Sequence, residues 1–306
     1  MIERISATVI VLAYNQAHYV KYAIDSALNQ TFRPLEVIFS DDSSEDGTYT
    51  LMEEAARNYR GDINIKLNRN GRNLGVSAHF SRAVALASND VVVYMAGDDI
   101  SASDRVAASV APFTDPSVTM VEVKHQNFYA GENPSTFSSG DSLLSAPAPF
   151  VFGINEYLDA TAPPLSSCAR SLRRHSFTEF PTLAEECPSD DTPTILRSLM
   201  TGRAAVIPSV KVFRRLHNSN ISGPEGMKHM DFQALRLQYH ADIQWARRTG
   251  LCDPHTLNRI EAWVENTIRR RELRRLVDFG EISIADFFDK IVLSNSLSFR
   301  EKLYAL

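Results

Sequence analysis

Apolar and polar positions fall in alternating blocks through the first hundred residues, in a pattern that strands and helices following one another would produce. ATVIVLA at 7–13 is an unbroken apolar run, the mark of a strand buried on both faces. Asn15 is placed to cap the next segment, where Val20, Ala23, Ile24, Ala27 and Leu28 recur at helical spacing. LEVIF at 35–39 reads as a second short strand running into Ser40-Asp41-Asp42. Leu51, Met52, Ala55 and Tyr59 share one side of a helix that follows Gly47-Thr48, and Ile63, Ile65 and Leu67 alternate as a third strand before Asn70-Gly71 turns the chain. Val76, Phe80, Ala83, Val84 and Ala87 give a third helix, and VVVYM at 91–95 a fourth strand. Strands alternating with helices predict an α/β fold with right-handed crossovers and a mostly parallel sheet flanked by helices.

Beyond residue 100 the pattern loosens. Residues 103–113 and 190–200 read as helices, the latter opening near Pro193; 118–124 reads as a strand and 204–213 as one or two. The stretch 131–149 is dominated by Ser, Pro and Gly, as in a loop or flap. From about 228 the chain is helical, with Leu257, Ile260, Val264 and Ile268 in register. The expected division is a main domain over 1–222, its halves meeting near residue 100, and a helical C-terminal region over 223–306.

Composition narrows the function classes. With 306 residues, 44% apolar and 23% charged, the chain can bury a large core unaided. A net charge of −5 argues against nucleic acid as the main partner. Three widely spaced cysteines, Cys168, Cys187 and Cys252, suit a reduced compartment and form no zinc module. The first apolar run is far short of the ~20 residues that span a bilayer, so the expected location is the cytoplasm.

In an open parallel sheet, ligands bind beyond the carboxyl ends of the strands. Tyr14-Asn15, Asp41-Asp42 and Asp98-Asp99 all follow predicted strands there. Aspartates at such turns also serve as caps and Asx-turns, but their joint placement favours a site. Four carboxylates in one crevice need hydrogen-bond donors or a cation, and Mg²⁺ or Mn²⁺ held by one or two carboxylates plus a ligand's phosphates would meet that need. The chain lacks G-x-G-x-x-G, a P-loop, H-E-x-x-H and G-x-S-x-G, which disfavours dinucleotide, P-loop, zincin and serine-hydrolase chemistry.

VIVLAYNQ, EVIFSDDSSEDGT, NLGVSAHFSRAVALA and VVVYMAGDD resemble, in that order, the nucleotide-sugar half of the family-two glycosyltransferases with a GT-A fold. SSCARSLRRHSF and SDDTPTILRSLMTGRAAVIPSVKVFRRLH follow the pattern of that family's acceptor half. The resemblance implies an inverting, metal-dependent transfer from a nucleotide sugar, most simply UDP-linked, to a glycan or lipid-linked acceptor. It implies that Ala13, Tyr14 and Asn15 line the base pocket, that Asp41 accepts from a uracil-type ring, and that Arg72 and Asn73 shape the nucleotide site. Asp98 would lie nearer the ribose and Asp99 would ligate the metal; an earlier acid common in the family is Ala96 here. Asp191 would be the general base, with Asp190, where Glu is more usual, supporting it. His217 is placed as a metal or phosphate ligand and Arg215 as a partner of the diphosphate.

Ser189-Asp190-Asp191 at a helix start also suits an N-cap, and a lone loop histidine can be merely solvated. Arg247, Arg248, Arg259, Arg269, Arg270, Arg271, Arg274 and Arg275 give the tail a basic character. Such a surface is either a solvated helix face or a contact for anionic lipid. Two other functions share parts of this pattern. A sugar nucleotidyltransferase would want a glycine- and base-rich loop where Ala13–Tyr19 has neither Gly nor Lys, and a non-catalytic glycan-binding module would not need Asp98, Asp99 and Asp191.

Overall fold

The computed structural model describes residues 5–129, 132, 148–165, 168–218, 220, 223–283 and 285–286. Of the stretch expected to form a flap, only 132, 148 and 149 lie among these.

The alternating blocks form the expected elements: β1 (Ala7–Ala13), α1 (Val20–Leu28), β2 (Leu35–Asp41), α2 (Thr48–Asn58), β3 (Asn64–Arg69), α3 (Val76–Leu86) and β4 (Val91–Ala96). Then come β5 (Ile100–Ser101), α4 (Arg105–Val110), a 3-10 turn at Ala111–Thr114 and β6 (Val118–Tyr129). β7 (Phe150–Phe152), α5 (Ile154–Leu158), β8 (Arg170–Arg173), α6 (Arg174–Thr178) and α7 (Asp191–Thr201) follow. A single long strand, β9 (Arg203–Leu216), occupies the region that could have held two. The last of the named elements among the described residues are α8 (Pro224–Lys228), α9 (Phe232–Thr249) and α10 (Pro254–Asp278).

One mixed sheet runs β3-β2-β1-β4-β8-β6-β9-β5, with β7 also paired to β9. The long ladders are parallel: β1 with β2 and β4, β2 with β3, and β6 with β9. The short strand β8 is antiparallel to both β4 and β6 and stitches the two parallel groups together.

Burial on both faces explains the unbroken apolar runs. Ala7, Val9, Val11 and Ala13 of β1 enter one core with α1, α2 and α4, while Ile10 and Leu12 enter another with α3 and α6. A third core joins α9 and α10 to α5 and α7 through Leu196, Met200, Leu235, Ile243, Ile260, Val264 and Ile268. The helical tail thus packs on the helix that begins at Asp191. Asp231 and Asp253 cap its two long helices, accepting from Ala234 N and Thr256 N, and Gly250 closes α9 at φ 70°, where a side chain would be strained.

Asn15 does not cap α1. The helix starts five residues later, and its N-terminal flank, Tyr19, makes no side-chain cap bond. Asn15 instead adopts φ 52°, and its side chain serves the loop after β2. Among the described residues no helix is long and apolar enough to cross a membrane.

Candidate active site

Register sets the site. Ala13 lies level with Asp41, and Leu12 level with Ala96, so Tyr14-Asn15, Asp42 and Asp98-Asp99 emerge together at one edge. Asp42 N donates to Ala13 O at 3.0 Å and Gly97 N to Leu12 O at 2.8 Å, tying these strand ends to one another. Gly97 is needed there: a β-carbon would lie 2.5 Å from Gln16 Oε1 and 2.7 Å from Ala13 Cβ. The residue before the acidic pair carried this signal in the sequence, but only the packing gives it meaning.

The two aspartates after β2 do different work. Asp41 is fully buried; its Oδ2 accepts from Ser44 N at 2.9 Å and faces Arg69 Nε at 3.5 Å. Its Oδ1 is buried with no hydrogen-bond partner among the described residues. Such an oxygen costs free energy unless a donor arrives. Asp42 is satisfied at both oxygens, accepting from Asn70 Nδ2 at 2.7 Å, Leu74 N at 3.0 Å and Gly75 N at 3.0 Å. It holds the 70–75 loop and so leaves the crowd of acids that the sequence suggested. Beneath it Ser40 links Asn68 and the buried His79, whose Nε2 lies 2.8 Å away. Burial holds that imidazole neutral by lowering its pKa.

Around this pocket, Asn15 N donates to Ser44 Oγ at 2.8 Å and Asn15 Oδ1 accepts from Glu45 N at 3.0 Å, while Tyr14 is exposed beside them. Asn73 Oδ1 accepts from Gly75 N, completing the loop. Arg72 points outward into a bidentate pair with Glu185, at 2.8 and 2.6 Å. It thereby ties the 70–75 loop to the segment ahead of α7.

Asp98 and Asp99 meet β9 because Ile100-Ser101 pairs antiparallel with Phe213 and Val212. That pairing carries Arg215 and His217 back along the acids. Arg215 N donates to Asp99 Oδ1 at 2.9 Å and Arg215 Nε to Asp98 O at 3.0 Å. Its guanidinium lies 4.9 Å from the Tyr19 ring centroid, 5.3 Å from Tyr22 and 4.5 Å from Phe128. The Arg215 Nη2 is buried without a hydrogen-bond partner among the described residues. His217 Nε2 lies 2.9 Å from Asp98 Oδ2, its ring stacks on Tyr19 at 4.7 Å, and Asn220 Nδ2 also reaches Asp98. His217 is therefore part of this cluster and no solvated loop residue. Burial, reinforced by the neighbouring Asp98, pushes the Asp99 carboxyl up to about 8. Among the described residues no group of three or more His, Cys, Asp or Glu side chains is placed to hold a metal ion.

The other acidic pair stands at the start of α7. Asp190 precedes the helix but makes no side-chain cap bond, so capping does not explain its presence. Arg170 of β8 instead donates one Nη to Asp190 and the other to Asp191, the latter at 2.6 Å. The Arg170 guanidinium lies 4.8 Å from the Phe80 ring and 4.6 Å from the Tyr94 ring. Tyr94 lies between the two acidic clusters: its half-buried ring packs against the Arg170 guanidinium, and desolvation holds its phenol protonated near Asp191, Asp98 and Asp99. Arg170, Tyr94, Tyr19 and Asn220 had no mark in the sequence, since an arginine opening a four-residue strand looks like any surface arginine. Arg197 is structural: it makes a bidentate pair with Asp242 of α9 at 2.8 and 2.6 Å.

Much of the tail's basic charge is engaged within the fold. Arg247 pairs with Glu261, Arg259 with Asp159 and Arg274 with Asp278. Arg275 donates to Met230 O, and Arg271 to Thr192 Oγ1 at 3.2 Å.

Three comparisons bear on this arrangement. The sequence model of Glycosyl transferase family 2 matches residues 8–180. EpsE of Bacillus subtilis is 32% identical over 104 residues, 34% of this chain and 37% of its own length; the chain thus spans well under two thirds of that relative. Among solved structures, TarS 1–349 of S. aureus in complex with UDP superposes with TM-score 0.62 at 19% identity, over 99% of this chain and 81% of that one. A mannosyltransferase of Pyrobaculum calidifontis, in complex with GDP-Man and Mn²⁺, gives 0.58 at 17% identity, over 98% of this chain and 82% of that one. At these identities the structures establish a shared fold, a mixed α/β sheet flanked by helices.

Proposed function

The chain belongs to glycosyl transferase family 2, and on that footing we propose that it transfers a sugar from a UDP-linked donor to an acceptor hydroxyl, with inversion at the anomeric carbon. The observation that carries the reading is Tyr94, which lies on β4 just ahead of Asp98 and Asp99 while its ring sits 4.6 Å from the Arg170 guanidinium that holds Asp191. A donor held by Asp98 and Asp99 and an acceptor activated by Asp191 would meet there.

Each residue then has a role. The unpartnered Oδ1 of Asp41 accepts from the ring N–H of a uracil, in a pocket lined by Ala13, Tyr14 and Asn15 and closed by the loop bearing Arg72 and Asn73. UDP bound to TarS supports that choice of base. Asp98 lies toward the ribose. Arg215, caged by aromatic rings with Nη2 unsatisfied, points to an anion, which the diphosphate supplies.

Asp99 would be the ligand offered to a divalent ion such as Mn²⁺ or Mg²⁺, with Asp98 and His217 beside it. Both carboxylates are buried, and burial together with Asp98 pushes Asp99 up to about 8 despite the arginines nearby, so a cation would relieve the pair; a metal that takes its remaining ligands from the diphosphate needs no closed protein cage. When bound, such an ion stabilises charge on the departing diphosphate. The Mn²⁺ in the Pyrobaculum structure is consistent with this.

In the reaction the acceptor oxygen forms a bond to the anomeric carbon as the bond from that carbon to the diphosphate oxygen breaks, its electron pair leaving with UDP. The hydroxyl proton passes to the Asp191 carboxylate, and Asp190 keeps the pair in place. The acceptor is a glycan or lipid-linked glycan. The ion pairs of Arg247, Arg259 and Arg274 leave little support for a membrane contact through those three side chains.

Asp191→Asn tests the mechanism. With UDP-sugars and Mn²⁺, turnover should fall by roughly 10²–10⁴-fold, the usual worth of a general base, while UDP affinity and the unfolding midpoint barely move. Turnover near that of the parent would overturn the assignment.

A further inference from the structure

The two acids at α7 are served by one cation, and unequally. Asp190 is 3% exposed, whereas the Asp191 side chain is 38% exposed. A buried carboxylate cannot part from its counter-charge without a large desolvation penalty, so Asp190 anchors Arg170. Asp191 receives the remaining Nη1 and stays open to an acceptor. The guanidinium is also gripped on its faces, by Phe80 from α3 and Tyr94 from β4, and it is 1% exposed. It has little freedom to follow Asp191; Asp191 has to come to it.

Resting on the reading of Asp191 as the base, we propose that Arg170 is a positioning residue that aims the Asp191 carboxylate and divides one positive charge between Asp190 and Asp191. The division matters for proton transfer. A carboxylate with a whole guanidinium to itself is a weak base; one with no cation beside a second buried acid is protonated too readily.

The other groups facing Asp191 do not supply that charge balance. The Tyr94 phenol is held protonated by burial, and the Tyr239 phenol of α9 is pushed up to about 12, also by burial, so both are neutral. Asp98 and Asp99 follow β4 beyond Tyr94, and the buried Glu122 of β6 lies level with Arg170 in the β6–β8 ladder; these are further acids and add no cation. Arg271 of α10 reaches Thr192, the next residue, at 3.2 Å, but makes no ion pair with Asp191 within 4.0 Å among the described residues. Lysine could not replace Arg170, because an ammonium is a point charge without the planar fork that serves two carboxylates at once.

The pH dependence of transfer from a UDP-sugar with Mn²⁺, measured on the full chain, tests this. Turnover falls on the acid side as the base becomes protonated. Asp190→Asn gives Asp191 the undivided cation, so the acid limb should move down by about one pH unit, with a roughly tenfold lower plateau. Arg170→Lys breaks the fork, and Arg170→Met removes the charge; both should move the limb up, Arg170→Met further. UDP affinity should stay within about twofold of the parent. Shifts of opposite sign from the two positions are the result expected. A merely structural Arg170 would lower turnover in both Arg170 variants with the acid limb fixed, and that result overturns the proposal. Arg170→Lys decides it where Arg170→Met fails to fold, because it keeps the buried charge and loses only the fork. Failure here is distinct from failure of the mechanism. If Asp191→Asn retains turnover, the base is misassigned; if it abolishes turnover while the Arg170 variants leave the limb unmoved, only the role of Arg170 is wrong.

Discussion

The first four strands and the stretch from β8 to β9 build opposite walls of the site by different means. In the first region the backbone does most of the placing. Parallel register brings Ala13, Asp41 and the Gly97-Asp98-Asp99 turn to one edge. The acids after β2 are then fixed by amides of nearby loops: Ser44 N on Asp41, and Leu74 N and Gly75 N on Asp42. In the second region charged side chains reach across long stretches of chain. Arg170 gathers Asp190 and Asp191, Arg197 grips Asp242, and His217 meets Asp98 across 119 positions. A wall held by backbone register degrades locally when one side chain is lost. A wall held by buried charges leaves an unpaired ion behind, which costs far more than the missing contact.

The largest effect should therefore come from the second wall at a residue that touches no substrate. Arg197→Met keeps the stem against Phe177 and Phe180 but strands Asp242, whose carboxyl burial already pushes up. Urea unfolding should show a loss of roughly 3–5 kcal/mol, and the double variant Arg197→Met with Asp242→Leu should recover much of it. UDP affinity, measured well below the transition, should hardly change. A single variant as stable as the parent would mean that the third core alone holds α7 to the helical tail.

The same contrast explains what could be read before the structure. Two-sided burial makes a strand apolar throughout, so β1, β2 and β4 declared themselves, and the acids at their ends followed from topology. β8 did not, because it is four residues long and carries arginine at both ends, one of them the guanidinium that organises Asp190 and Asp191. Asn15 misled because a short polar residue before a helical pattern suits a cap, while its backbone is committed to φ 52° and its side chain to the loop after β2. His217 could be suspected but not placed: its contact with Asp98 depends on the pairing of a two-residue strand, Ile100-Ser101, with β9.

A smaller effect is expected where the first wall has no slack. Gly97→Ala adds one methyl group that would meet Gln16 Oε1 and Ala13 Cβ. Overpacking of this kind costs roughly 1–3 kcal/mol, and relief would push the turn bearing Asp98 and Asp99 away from Ala13. Both the melting temperature and UDP affinity should drop together. A variant that lost stability alone would show that the base pocket and the acidic turn move independently.

The smallest change sharpens the contrast most, because it alters a single buried atom's partner and leaves the register intact. Asp41 Oδ1 is an acceptor awaiting a donor. The N3–H of uracil would supply one, whereas N3 of cytosine is itself an acceptor and would face the carboxylate with like polarity. Asp41→Asn exchanges a charge-assisted hydrogen bond for a neutral one, a loss of about 1 kcal/mol, or close to fivefold in UDP affinity. The amide can also turn its nitrogen inward and donate to cytosine, so CDP should bind the variant more tightly than it binds the parent. Titration of both nucleotides with both proteins measures the ratio directly, and the preference for UDP over CDP should narrow by about tenfold. If the ratio is unchanged, the orphan oxygen does not read the base, and the pocket's selectivity has to come from the backbone around Ala13 and Asn15.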